Sequence, residues 1–299
     1  MQRKLSTSSA VHALNFHRSL IEDSARTNAY RAAIEEVVRE GDVVADIGCG
    51  TGILSMFACR AGARRVYAIE EEPVIEIARE LVTANGFDDR ITFIAGSSRD
   101  ATLPERVDVV VTETMGNNGL DEQIAGTIAH AAVAFLKEGG TIIPRAIEVI
   151  AAPVERFQNQ WSDSYDLDFS PMREHVVNLF HSLAIARSEL LATPATIARV
   201  DAPAVRGSAS WVVTRAGVLS GIAIWFRASL TSRITISNEP ESDFHSWKQS
   251  FFPIAAQREV RAGEVVRAEL QTFDGIEWMW RVDEETRTTL KGFPITLRE

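Results

Sequence analysis

The stretch 43-VVADIGCGTG-52 decides the fold. Valines, alanine and isoleucine around Asp46 read as a short buried strand. Glycines at 48, 50 and 52 then make a tight turn, with Cys49 and Thr51 between them, before the apolar run 53-ILSMFACRAG-62, which the spacing predicts as a helix. Glycine permits close approach of backbone to a ligand, and the helix start presents free N–H groups at the crevice beyond the strand.

Working outward, β-rich runs alternate with helical patterns over residues 43–143: RVYAI (65–69), ITFI (91–94), VDVVVT (107–112) and TII (141–143) follow the first strand. Between two of them, 72-EPVIEIARELVTANG-86 carries Val74, Ile77, Ala78 and Leu81 at helical spacing and ends in Asn85-Gly86. Such alternation implies right-handed crossovers and a doubly wound, largely parallel α/β sheet. After Pro144 the period changes. Runs 221-GIAIWFRASL-230, 233-RITIS-237, 264-EVVRAEL-270 and 276-IEWMWRV-282 predict an antiparallel β-barrel or sandwich. The expected division is therefore residues 1–144, with a helical N-terminal segment, and residues 145–299. Between them 157-FQNQWSDSYDLDFSPMREHVVNLF-180 reads as helical, and its aromatic side chains suit packing on something other than its own barrel.

The 31 basic and 41 acidic side chains leave a net charge of -10, which argues against a nonspecific nucleic-acid binder and suits a cationic substrate. Cys49 and Cys59 form no disulfide or zinc pattern, so a reducing cytoplasm is expected. The N-terminus lacks a signal-peptide apolar core, and no apolar run is long enough to span a bilayer. His12, His130, His175 and His181 have no metal-ligand spacing, so no metal site is expected.

The turn's G-x-G-x-G spacing differs from the G-x-G-x-x-G of dinucleotide folds. With Asp46 ahead of it, it resembles the first motif of S-adenosylmethionine-dependent methyltransferases. The next strand ends in Glu70, where a carboxylate can accept from both hydroxyls of a ribose.

Further landmarks sharpen this likeness to the protein arginine methyltransferase family. The stretch 17-HRSLIEDSARTNAYRAAI-34 supplies the family's His, Asp, Arg-Thr and Tyr at His17, Asp23, Arg26, Thr27 and Tyr30. Residues 48–70 follow its glycine motif almost letter for letter. Its two-glutamate loop matches Glu113, Met115, Gly116 and Glu122 in 112-TETMGNNGLDEQI-124, and its late Thr-His-Trp-Lys-Gln loop is similar to 245-HSWKQSFF-252. The resemblance implies an S-adenosylmethionine-binding domain, a β-barrel domain and a helical dimerisation arm at about 157–192, so a homodimer. It also implies a cofactor site made by His17, Arg26, Asp46, residues Gly48 to Gly52, Glu70, Ser98 and Arg99, in which Arg26 pairs with the methionyl carboxylate.

A guanidinium is planar, carries five N–H donors and stays protonated, so two carboxylates can grip it from two edges. Glu113 and Glu122 are expected to form that clamp. Asp23 is expected to relay the proton lost on methylation, with His245 standing in for the family's histidine, because the equivalent position is Ser246. Leu20, Met115, Asn117, Ser246 and Trp247 complete the expected substrate pocket, and the space bounded by Leu20, Met115 and Ile124 suggests monomethylation.

Three departures bear on the substrate. Residues 1–16 lack the family's tyrosines, the loop tryptophan is Thr114, and Arg99 replaces an acid near the adenine amine. With polar Asn117 and Asn118, they favour free L-arginine or a small guanidino metabolite over arginine in a protein. A nicotinamide oxidoreductase or an inactive binding module are the remaining readings, opposed by the glycine spacing and by retention of both glutamates.

Overall fold

The computed structural model describes residues 7–156, 165–200, 204–272 and 275–291. Its first sheet has the order β3-β2-β1-β4-β5, with every neighbouring pair parallel. The strands are β1 (Val43–Ile47), β2 (Arg65–Glu70), β3 (Ile91–Ala95), β4 (Val107–Thr112) and β5 (Leu136–Ile143). All five β1 residues are buried because the sheet is covered on both faces. Val44 faces a core shared with Ile34, Ala58 and Val66, while Val43, Ala45 and Ile47 face one with Tyr67, Val110 and Phe135. Strand order reverses between β1 and β4, which opens a crevice beyond their carboxyl ends.

The helices of this half are α1 (Thr7–Glu22), α2 (Ser24–Val37), α3 (Ile53–Arg60), α4 (Ile75–Ala84) and α5 (Ile124–Ala134). The strand expected at 141–143 starts earlier, at Leu136. It is an edge strand, and its solvent-facing Lys137, Glu138 and Gly139 obscure the β pattern.

The second half is antiparallel. One sheet runs β7 (His181–Leu183), β12 (Gln249–Val260), β10 (Gly217–Ser229), β6 (Ala146–Val154) and β8 (Ala195–Arg199), with β11 (Thr235–Ser237) beside β10. The other runs β15 (Glu285–Thr288), β14 (Trp278–Val282), β13 (Val265–Thr272) and β9 (Val205–Val212). Both sheets fill one barrel-like core in which Leu219, Ile222 and Phe252 meet Trp211, Leu270, Trp278 and Trp280.

The halves are welded at the loop after β4: Met115 joins the core of the first half to Ile147, Phe226 and Trp247. A Cβ on Gly119 would lie 2.8 Å from that of Phe226, and one on Gly275 would lie 2.0 Å from the Leu120 carbonyl oxygen. Only hydrogen at these two positions lets the barrel approach the loop so closely.

The helix expected across 157–180 is not continuous. Residues 157–164, including Trp161, lie outside the described residues, and beyond them only α6 (Met172–Val176) is helical. Tyr165 and Asp166 have φ of 57° and 60°, and Pro171 follows, a backbone that cannot carry a helix through. The end of the segment joins the barrel, because β7 pairs with β12.

Candidate active site

A cleft of about 1090 Å³ opens beyond the carboxyl ends of β1, β2 and β4, and α1 contributes Leu14, Phe16, His17 and Leu20 to its wall. Gly48 and Gly50 form its floor with φ of 69° and 54°, the left-handed region open to glycine at little cost, whereas Gly52, with φ of 78°, faces Val82 and Ala78 of α4 and does not line the cleft. His17 closes over this turn: a Cβ on Gly50 would lie 3.4 Å from its ring. Burial lowers the imidazole's pKa, against the opposing pull of Glu70, which favours the neutral ring.

Glu70 ends β2 with 8% exposure and lines the cleft. Its Oε2 accepts from the Gly50 amide at 2.8 Å and its Oε1 from the Glu72 amide at 2.8 Å. Each oxygen keeps a second lone pair for a ligand hydroxyl. Cys49, Thr51, Ser98 and Arg99 also line the cleft, and burial pushes the Cys49 thiol far up, away from reactivity. Arg99 Nη2 donates to Gln123 Oε1 at 3.1 Å, tying the loop after β3 to the start of α5.

Asp46 differs from expectation. It is 1% exposed and does not line the cleft. Its Oδ2 accepts from Ser55 Oγ at 2.6 Å, bracing α3 under the turn, while Oδ1 is buried without a partner. Burial drives its pKa up to about 7, although the Ser55 hydrogen bonds resist the rise.

Glu113 and Glu122 both line the cleft. Arg26 reaches in from α2: its Nη2 donates to Glu113 Oε2, its Nη1 to the Leu20 carbonyl at 3.1 Å, and its Cζ lies 5.6 Å from the centre of the Trp247 ring. The Arg26 Nε is buried without a partner. Burial lowers the Arg26 pKa, opposed by Tyr30, Asp23 and Glu122, and the direct pair with Glu113 keeps the guanidinium charged. Glu122 is exposed by surface area because it faces the open cleft, yet the protein around it still penalises its charge. Burial, then the neighbouring Asp121, raise its pKa, and Arg26 opposes them.

Asp23 and residue 245 meet through the main chain, not through the imidazole. Asp23 is 1% exposed and caps α2. Its Oδ2 accepts from the backbone amides of His245 and Ser246, each at 2.8 Å, and its Oδ1 from that of Arg26 at 3.1 Å. Burial alone would raise this carboxyl, but the amides of Ser246, Arg26 and His245 outweigh it and hold the pKa below the usual range. The His245 side chain is exposed and outside the cleft lining. Ser246 lines the cleft; its hydroxyl lies beside Asp23 without a hydrogen bond of acceptable geometry.

Of the expected substrate residues, Leu20, Asn117, Ser246 and Trp247 line the cleft, whereas Met115 is fully buried in the core beneath it. Asn117 is locked from three sides: its amide donates to Asp121 Oδ2 at 2.9 Å, its carbonyl accepts from Asn238 at 2.7 Å, and its Oδ1 accepts from the Lys248 amide at 2.7 Å. Trp247 packs edge-on against Phe226, with ring centres 5.0 Å apart, so it is both core and wall.

Sequence reasoning missed Glu71, Glu72, Ser97, Gln123 and Thr127, which also line the cleft. The run of three acids from Glu70 to Glu72 just beyond a buried strand was the available signal. Among the described residues no group of three His, Cys, Asp or Glu could hold a metal ion, and no helix is long and apolar enough to cross a membrane.

Known proteins resemble this chain in sequence and fold. The family model described as ribosomal protein L11 methyltransferase matches residues 26–168, and that of the arginine methyltransferase oligomerization subdomain matches residues 146–283. Protein arginine N-methyltransferase 1 of Saccharomyces cerevisiae is 30% identical over 275 residues, 85% of this chain and 79% of the relative. Protein arginine N-methyltransferase 6 of Xenopus laevis is 31% identical, with 79% of this chain and 77% of the relative covered. The Trypanosoma brucei PRMT1 enzyme-prozyme heterotetrameric complex with AdoHcy has the same fold, with a TM-score of 0.82 at 24% identity over 91% of this chain and 96% of that one.

Proposed function

The chain belongs to the protein arginine methyltransferase family, and from that premise we propose that it methylates the guanidino group of free L-arginine or a similar small metabolite, giving Nω-methyl-arginine. The cofactor is S-adenosylmethionine. The cleft fits it: a glycine floor, the Glu70 carboxylate with lone pairs to spare, and an Arg26 guanidinium with a free Nε are the groups a nucleoside with an amino-acid tail requires. His17, the turn from Gly48 to Gly52, Glu70, Ser98 and Arg99 would hold it, with Arg26 toward its carboxylate. When bound, it supplies an electrophilic methyl group on a sulfonium.

The protein's own task is to orient the acceptor nitrogen and draw positive charge away from it. Glu113 and Glu122 grip the guanidinium from two edges, leaving the third nitrogen's lone pair to attack. One N–H proton would be released as the new C–N bond forms and the methyl–sulfur bond breaks, with the cofactor leaving as the neutral thioether S-adenosylhomocysteine. Glu122, with its raised pKa, is the carboxylate suited to receive that proton, whereas Asp23 is already committed to three backbone amides.

The observation that carries this reading is the guanidinium already seated on Glu113, supplied by Arg26 from within the chain, with Glu122 on the same cleft. Thr114 and Asn117 in the lining, and the Arg99 cation at the rim, suit a small zwitterion. The names of the relatives and the net charge of -10 favour the second reading, arginine within a protein. Incubation with labelled cofactor and either L-arginine, a Gly-Arg-rich peptide or an amine without guanidine separates them. Label on L-arginine supports the first reading, label on the peptide alone replaces it with the second, and label on the amine alone sinks both.

The proposed organisation assigns residues 1–144 to cofactor binding and 145–299 to the barrel, with homodimerisation through the arm at 157–192. Tyr165 and Leu167, 93% and 61% exposed, are apolar groups on that arm which a second copy would cover. Cys49 and Cys59 are free and buried, in keeping with a cytoplasmic location.

A further inference from the structure

Asn238 follows β11 on the barrel side, is fully buried and does not line the cleft. A buried side-chain amide is costly unless its hydrogen bonds are made. Here they join three parts of the chain. The Phe226 amide donates to Asn238 Oδ1 at 2.9 Å, and Nδ2 donates to the Asn117 carbonyl at 2.7 Å and to the Lys248 carbonyl at 2.6 Å. Because a backbone amide can only donate, Phe226 fixes which end of the side chain is oxygen, and both N–H groups are left for the two carbonyls.

Those carbonyls belong to two loops at the cleft. Asn117 lies between Glu113 and Glu122, and Lys248 follows Trp247. The Lys248 amide donates in turn to Asn117 Oδ1 at 2.7 Å, so Asn238, Asn117 and Lys248 close a triangle of hydrogen bonds. The triangle is anchored on the barrel side, where the Asn238 carbonyl accepts from Gln249 Nε2 at 2.6 Å. It reaches the clamp on the other, where the Asn117 amide donates to Asp121 Oδ2 at 2.9 Å and Asn118 Nδ2 donates to Asp121 Oδ1.

Asp121 immediately precedes Glu122, and Glu122 needs that support. Glu113 is held by Arg26, whereas the Glu122 side chain makes no hydrogen bond among the described residues. Its direction is therefore set by the backbone that carries it.

We propose that Asn238 is a positioning residue: by holding Asn117 and Lys248 together it sets where the loop carries Glu122 relative to Trp247, without touching substrate or cofactor. This rests on the reading of Glu113 and Glu122 as the clamp, and not on whether the acceptor is free arginine or arginine in a protein.

Asn238→Asp tests it with almost no change of shape, since the carboxylate still accepts from Phe226 but meets two carbonyls with no N–H to give them. Asn238→Ala removes the donors without adding a charge. The acceptor is whichever of L-arginine and the Gly-Arg-rich peptide takes label from the wild-type enzyme. Both variants are expected to lower kcat/KM for it on the order of 10²-fold, with S-adenosylhomocysteine affinity by calorimetry near wild type. In Asn238→Ala the acid limb of the profile should also fall toward the ordinary carboxylate range, because a loosened Glu122 meets water and loses the burial that raises it. Equal losses of turnover and S-adenosylhomocysteine affinity would make Asn238 a support of the whole fold, and unchanged kcat/KM would leave it nothing to position; either result overturns the proposal. The unsubstituted protein gives a check that needs no variant to fold: its Lys248 amide should exchange slowly, and exchange at the rate of an open loop overturns the triangle. Retained turnover in Glu122→Gln is a different failure, which removes the clamp reading itself and with it anything for Asn238 to aim.

Discussion

Arg26 donates from Nη2 to Glu113 Oε2, so one of the two cleft glutamates carries a guanidinium from its own chain. The side chains are 11% and 7% exposed, which makes this a buried ion pair. Removing one partner leaves the other charge uncompensated. Glu113→Gln is therefore expected to destabilise the fold by about 3–5 kcal/mol, read from urea unfolding. Adding Arg26→Met should recover part of that loss, and strictly additive costs would rule out the pairing.

The two cleft glutamates bear on turnover. Glu113→Gln and Glu122→Gln should each lower kcat by about 10²–10³-fold, while the affinity for S-adenosylhomocysteine, measured by calorimetry, falls far less in Glu122→Gln. Glu122 stands on the rim of the cofactor crevice and makes no hydrogen bond to the glycine turn. Retained turnover in the Glu122 variant would remove it from the clamp.

Glu122 also sets a pH dependence. Burial raises its folded pKa above the ordinary carboxylate value, so the fold binds its proton more tightly than the unfolded chain does. Glu122 thus costs stability as pH rises from the ordinary to the raised value, and the cost persists above it. Below the raised value a guanidinium must expel the proton to bind. The acid limb of the kcat/KM profile should therefore lie above the usual carboxylate range and move when Glu122 becomes Gln.

Asp23 behaves in the opposite sense. Its folded pKa is depressed by backbone amides from two separate elements, so its stabilisation is complete above an unfolded value of about 4 and is lost as pH falls through the folded one. Asp23→Ala should cost about 1–3 kcal/mol at neutral pH and flatten the acid part of the stability curve. It should also free the 245–247 loop, seen as faster amide exchange at His245 and Ser246. Unchanged exchange there would show that the loop is held by Trp247 packing alone.

The parallel sheet was legible because 43-VVADIGCGTG-52 and Glu70 carry local signals: strand period, glycine conformation, and an acid at a strand end. That Glu113 and Glu122 reach one cleft was legible from the strand end before Glu113 and from the family resemblance of the loop that joins them. The roles of Asp46, Met115 and His245 were not, because each depends on which way a side chain points. Asp46 alternates to the inner face of β1, Met115 turns into the joint between the halves, and His245 gives Asp23 its amide while its ring faces solvent. The helix expected over 157–180 was read from its overall composition, which says nothing of the left-handed backbone at Tyr165 and Asp166.

That exposed segment gives a test of assembly. Tyr165→Glu together with Leu167→Glu should convert a dimer to a monomer in light scattering at micromolar concentration. Neither side chain contributes to a buried core of its own chain, so the monomer should keep its thermal transition to within a few degrees. A wild-type monomer would refute dimerisation through the arm.

Gly275 links the barrel to the clamp without touching substrate. With φ of 83° and the Leu120 carbonyl 2.0 Å from where a Cβ would sit, Gly275→Ala must push apart the barrel turn and the loop that ends in Glu122. The turn cannot simply yield, because Gly275 N donates to Thr272 Oγ1 at 2.9 Å and its carbonyl accepts from Trp278 Nε1 at 2.9 Å. The substrate loop is the softer partner. An ångström of displacement at a positioned carboxylate costs on the order of 10²-fold in rate. Gly275→Ala is therefore expected to lower kcat/KM for the guanidino acceptor by about that factor while leaving S-adenosylhomocysteine affinity near wild type, since the glycine turn and Glu70 belong to the other wall. Equal losses of both would mean that the barrel supports the whole cleft and not the clamp loop alone.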